Sequence, residues 1–133
     1  MINGQVLDLE AEGKSINKGN LQNIHHYKTA RLFCAATRIG TIAAMAEKKI
    51  VQLMSTYGYL IGLAFQIIDD IQDFDQESDK ENKKATYPSV VGIETAKKKA
   101  TELIEQAIAT IDTFDSKADI LRQLAQFIIN RKN

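Results

Sequence analysis

An all-α fold is predicted by three features of this sequence. It has a single proline, Pro88, alternating runs of β-branched residues are nearly absent, and apolar residues recur at spacings of three and four. The 133 residues make at most one ordinary domain, long enough to bury a core. Apolar residues are 44% of the chain and charged residues 26%, which places it with globular rather than disordered sequences. Lys+Arg and Asp+Glu balance at 17 each, so net charge gives no reason to expect nucleic acid or an anionic membrane surface as partner.

The first segment is helical by propensity to about Glu12 and stops at Gly13. Residues Lys14 to Asn20 read as a polar loop, with Asn20 as the cap of a second helix that runs to about Ile39. Its apolar stripe is Leu21, Ile24, Leu32, Ala35 (or Ala36) and Ile39, and Cys34 beside it reads as a buried structural thiol. A turn near Gly40 leads through Thr41–Ala46 into a long helix from about Glu47 to Asp73. The apolar face of that helix widens until it nearly encircles it, as in a central buried helix, and Gly58 and Gly62 let a neighbour approach closely. Asp75 to Lys84 is a charged loop, and Pro88 opens a short helix, Ser89 to Val91. The next helix runs from about Ile93 to Phe114 with Ala96, Ala100, Leu103, Ala107, Ile108 and Ile111 inward. Ser116 caps a last helix, Lys117 to Asn130, carrying Ile120, Leu121, Leu124, Phe127 and Ile128.

The residues with the most chemical content close the long helix: Gln66-Ile67-Ile68-Asp69-Asp70-Ile71-Gln72-Asp73. On a helix Asp69 and Asp73 share a face with Gln66, and Asp70 lies about 100° round from Asp69. Carboxylates beside Leu63, Phe65, Ile67 and Ile68 need a counter-charge, a metal or a place at the rim of a cavity. An oxygen-only set suits Mg²⁺, above all when substrate phosphates complete its shell. On spacing alone a helix simply emerging into water is an equal reading. Lys28-Thr29 could hold a diphosphate as point charge and donor, or form a solvated face. Lys83-Lys84, before Thr86-Tyr87-Pro88, could do the same from a loop. His25 and His26 are adjacent rather than four apart, so they do not form a metal pair. Met1 to Glu12 lacks the pattern of a signal peptide, and the apolar stretch Tyr59–Ile68 is too short to span a bilayer, so a cytoplasmic chain with no membrane span is expected.

Gly4-Gln5 with Asp8, Lys28-Thr29, Gly62 through Asp73, and Lys84-Ala85-Thr86-Tyr87-Pro88 occur in the order seen in trans-isoprenyl diphosphate synthases. The sequence resembles the C-terminal part of the bacterial farnesyl diphosphate synthases (geranyltranstransferases) over essentially all 133 residues. That resemblance implies a helical prenyltransferase fold around a deep cavity. It implies condensation of an allylic diphosphate, dimethylallyl or geranyl, with isopentenyl diphosphate, Mg²⁺ as cofactor, and a homodimer in the full-length form. Carried over residue by residue, Asp69 is the principal Mg²⁺ ligand, supported by Asp70 and Asp73. Lys28 binds the allylic diphosphate, with Thr29 and Gln66 close by, and Lys84 faces it from the loop. Lys28 and Asp69 are thus the expected catalytic residues. The first aspartate-rich motif and the isopentenyl site would lie before Met1. The chain is therefore expected to be inactive alone, and to need an N-terminal half or a complementing chain. Two further departures are Ala30, where the family has Gly after Lys-Thr, and a short segment between Asp73 and Lys84, where Lys80 is the nearest counterpart of a family lysine. A different class of reading is a non-catalytic helical subunit, or a plain interaction domain, pairing with another synthase chain.

Overall fold

The computed structural model describes residues 1–11, 14, 16–74 and 86–131, and every regular element among them is helical. α1 is Ile2–Ala11 and α2 is Lys18–His25, followed without a break by a π-helical turn, His26–Ala30, and by α3, Arg31–Ala43. α4 is Lys48–Phe74, α5 Tyr87–Val91, α6 Ile93–Thr110, and α7 Asp119–Asn130, entered through a 3₁₀ turn at Ser116–Ala118.

α4 is the helix on which the others are laid. Met54, Tyr57, Ile61, Ala64, Ile67 and Ile68 are all buried along its 27 residues. Fully burying a side chain such as Met54, Ile61, Ile67 or Ile68 contributes about 1.5–3 kcal/mol relative to leaving it in water. By length and composition the whole of α4 could cross a membrane, unlike the shorter stretch read from the sequence. In this fold it forms the shared core.

α6 covers one side of α4 with Ala96, Ala100, Leu103, Ile104 and Ala107, all buried. On another side α3 approaches at Gly58 and Gly62: a Cβ on Gly58 would come within 2.6 Å of the Phe33 carbonyl oxygen, and one on Gly62 within 2.6 Å of the Ala30 Cα. The close approach expected of these two glycines is therefore present. α7 closes the core with Ala125 and Ile128, and the Tyr57 hydroxyl donates to the Leu121 carbonyl at 2.6 Å.

Several expected boundaries move. The second helix is capped by Asn17, whose Oδ1 accepts the Asn20 N–H at 2.9 Å, so Asn20 lies inside the helix. Gly40 does not turn the chain, because α3 runs through it to Ala43. α6 stops at Thr110, and Asp115, not Ser116, caps the segment that follows by accepting the Lys117 N–H at 3.0 Å. Leu32 and Ile39, expected inward, are exposed, as are Ile120, Leu124 and Phe127 on α7. Cys34 is half-buried rather than buried.

The π turn explains the change on α3. One extra residue in a helical turn advances every later side chain by about 100°. After Ala30, which is fully buried, the face toward α4 therefore continues through Phe33 and Thr37, and the stripe read from a regular period swings outward.

Candidate functional site

The π turn carries Lys28 and Thr29 at the place where α1 and α4 both come close. Gly4 makes the α1 approach possible, since a Cβ there would overlap the backbone of Lys28 and Tyr27. This contact brings Asp8 to Lys28, whose Nζ donates to Oδ2 at 2.5 Å, with both side chains about three-quarters buried (25% and 24% exposed). On the other side the Thr29 hydroxyl donates to Gln66 Oε1 at 2.7 Å, joining the turn to α4.

The acids at the end of α4 divide into two environments. Asp69 is half-buried and paired with the Arg131 guanidinium, which also stacks 4.1 Å from the centre of the Phe65 ring. Burial holds the Arg131 guanidinium below its ordinary pKa. Asp73 follows four residues later, also half-buried. Asp70 points the other way, into the protein, where it is 6% exposed. Its Oδ2 accepts the Tyr87 backbone N–H at 2.7 Å and lies 3.0 Å from His25 Nε2, and its Oδ1 accepts Gln66 Nε2–H at 3.0 Å.

The structure thus gathers Thr29, Gln66 and Asp70 into one hydrogen-bonded chain, with Lys28 next to Thr29 and Asp69 next to Asp70. It does not gather three acids into one ligand set. Among the described residues no group of three or more His, Cys, Asp or Glu is arranged to hold a metal. Lys84, together with Lys80 and Lys83, lies outside the described residues.

Sequence reasoning missed four participants: Asp8 as the partner of Lys28, Arg131 as that of Asp69, and His25 and the Tyr87 amide as those of Asp70. His25 carried a readable signal, because it follows Leu21 by four and Ile24 by one on the buried face of α2. His26, its neighbour, is placed differently: Nδ1 is 3.1 Å from the Tyr59 hydroxyl, and burial, followed by the nearby Arg31 charge, lowers its pKa. A cavity of about 680 Å³ opens beside it, lined by His26, Tyr59, Leu63, Tyr87 and Lys99. Neither Lys28, Thr29 nor any of the three acids lines that cavity.

A family model described as polyprenyl synthetase matches residues 1–127. The chain belongs to the polyprenyl synthetase family. The farnesyl diphosphate synthase of Escherichia coli (strain K12) is 38% identical over 98% of this chain and 48% of its own length. The geranylgeranyl diphosphate synthase of Cyanophora paradoxa is 41% identical over 100% of this chain and 48% of its own. An apo FPP/GFPP synthase structure from Zymomonas mobilis superposes with a TM-score of 0.85 at 35% identity, covering 96% of this chain and 45% of that one. A geranyltransferase from Helicobacter pylori, in complex with magnesium and isoprenyl diphosphate, has a TM-score of 0.76 at 27% identity, covering 98% and 46%. This polyprenyl synthetase chain therefore has the helical prenyltransferase fold, and it spans about half the length of the curated relatives it matches.

Proposed function

We propose that this chain supplies the second aspartate-rich face of a Mg²⁺-dependent, farnesyl-type prenyl diphosphate synthase. In that enzyme an allylic diphosphate is condensed with isopentenyl diphosphate, and the present chain is inactive without a complementing half. The observation that carries the reading is the Thr29–Gln66 hydrogen bond, which docks the Lys28-Thr29 turn one helical turn from Asp69. That bond anchors the turn bearing Lys28 to the helix bearing Asp69. Membership of the family, and a relative seen with magnesium and isoprenyl diphosphate, support the same assignment.

The donor set fits the metal: Asp69 and Asp73 offer carboxylate oxygens only, and Mg²⁺ is typically held by one or two carboxylates plus substrate phosphates. When bound, the ion neutralises negative charge on the departing diphosphate. Lys28 adds a point charge to that diphosphate, and for this its ammonium must leave Asp8. Arg131 must likewise give up Asp69 to the ion. The apolar sides of Phe33 and Phe65, ring centres 5.4 Å apart, border the same region and keep water from a developing cation. Homodimer formation and cytoplasmic location belong to this reading of the full enzyme.

Calorimetric titration of inorganic pyrophosphate with Mg²⁺ into the chain tests the metal face. Product formation from geranyl and isopentenyl diphosphates, with and without a polypeptide supplying the N-terminal half, tests the rest. Binding by the chain, its loss in Asp69→Ala, and turnover only in the mixture are expected. Retained affinity in Asp69→Ala would remove Asp69 from the metal site.

A further inference from the structure

We infer that Asp70 is a positioning residue rather than a metal ligand, and that it sets the hydrogen-bonding polarity of Thr29 through Gln66. The inference rests on the reading above only in treating the Thr29 side of the turn as the substrate face. An ionised carboxylate accepts hydrogen bonds and donates none. Three donors converge on Asp70: the Tyr87 N–H, His25 through Nε2–H, and Gln66 Nε2–H. They tie α2, α4 and α5 together at a point nearly sealed from water, and they use both carboxylate oxygens.

The consequence runs outward. Because Asp70 can only accept, Gln66 must turn its NH₂ to Asp70 and its carbonyl to Thr29. Because that carbonyl can only accept, the hydroxyl of Thr29 must donate. A hydroxyl has one proton, and in Thr29 it is committed to Gln66. Toward the substrate face Thr29 offers lone pairs, which suit a metal-bound water or an ammonium and repel a diphosphate oxygen. This reverses the donor role expected of Thr29 from sequence. The carboxylate of Asp70 thus acts two residues removed, without touching the ligand.

Asp70→Asn is the informative substitution, being isosteric. The two donors at Oδ2 would hold the new amide oxygen in that place, so its NH₂ would face Gln66. Gln66 would then flip, present its NH₂ to Thr29, and release the Thr29 proton toward the substrate face. Nuclear Overhauser contacts from the Gln66 side-chain NH₂ report the orientation directly. In the parent chain they should be weak to Thr29 Hβ and the Thr29 methyl, where the amide oxygen is the nearer atom, and in Asp70→Asn they should strengthen. Mg²⁺ affinity should change less than about twofold in Asp70→Asn, against its loss in Asp69→Ala.

Contacts from the Gln66 NH₂ to Thr29 as strong in the parent chain as in a folded Asp70→Asn would overturn the inference. So would loss of Mg²⁺ affinity in Asp70→Asn equal to that in Asp69→Ala. If the parent binds no Mg²⁺, the proposed function fails, and the Overhauser pattern alone decides this inference.

Discussion

Tyr57 shows what one buried hydroxyl does for this fold. It is 1% exposed, and its O–H reaches 2.6 Å to the Leu121 carbonyl, linking α4 to α7. Burial pushes its phenol from 10.0 up to about 12. Between those two values the folded state keeps the proton and the unfolded state releases it. Stability from this group is therefore fully present below pH 10 and is lost as pH rises toward 12. Tyr57→Phe should cost about 0.5–1.5 kcal/mol at pH 7 from the lost hydrogen bond. It should also flatten part of the alkaline decline. Urea unfolding of parent and variant at pH 7, 9 and 11 checks both, and equal alkaline slopes would contradict the assignment. At this scale the sequence showed residue types but not partners. Asp69, Asp70 and Asp73 look alike in a string, and only the packing of α2 and α5 against one side of α4 sends Asp70 inward while Asp69 meets Arg131.

At the scale of elements the π turn decides what can be read and what cannot. Leu21 and Ile24 obey the period read from the sequence, and Leu32 and Ile39 do not, because the extra residue lies between them. No propensity signals such a turn. It is stabilised by what it touches: Gly4 of α1 on one side and Gly62 of α4 on the other. The Gly58–Gly62 spacing was legible, since two glycines four apart in an apolar helix have few other uses. Gly62→Ala should therefore cost about 1–3 kcal/mol, as overpacking against backbone does. Its Cβ would meet the Ala30 Cα at 2.6 Å and the Phe33 Cβ at 3.1 Å, neither of which can swing away. Moving the turn should also weaken pyrophosphate binding through the Thr29–Gln66 bond. Gly40→Ala is the matched control: it lies inside α3 with nothing within 4 Å of the added Cβ. That change should stabilise by about 0.5–1 kcal/mol through helix propensity. Thermal melts of the two variants separate packing from propensity, and a neutral Gly62→Ala would show that α3 and α4 are not locked at this contact.

Among the described residues a well-buried axis is combined with exposed apolar faces on two helices. The all-α class and the central place of α4 follow from periodicity and from the widening apolar face of one helix, so both were legible. What periodicity cannot show is which stripe meets which neighbour. α3 leaves Leu32, Ile39 and Ile42 more than half exposed, and α7 leaves Ile120 and Phe127 at 69% and 63%. Large apolar residues exposed together on a helix are the usual composition of an interaction surface. If this chain is completed by a second half, as proposed, these faces gain a partner, and binding to the folded state alone raises stability by mass action, about 2.7 kcal/mol at a hundredfold excess over Kd. The thermal midpoint of the chain should therefore climb with the concentration of a polypeptide corresponding to the rest of a synthase. Ile39→Lys and Phe127→Glu make the test specific. Both positions are exposed, so each variant alone should melt within about 0.5 kcal/mol of the parent. In the mixture each should lose most of the shift and a comparable part of the product formed. A full shift in both variants would show that the complementing half docks elsewhere on the molecule.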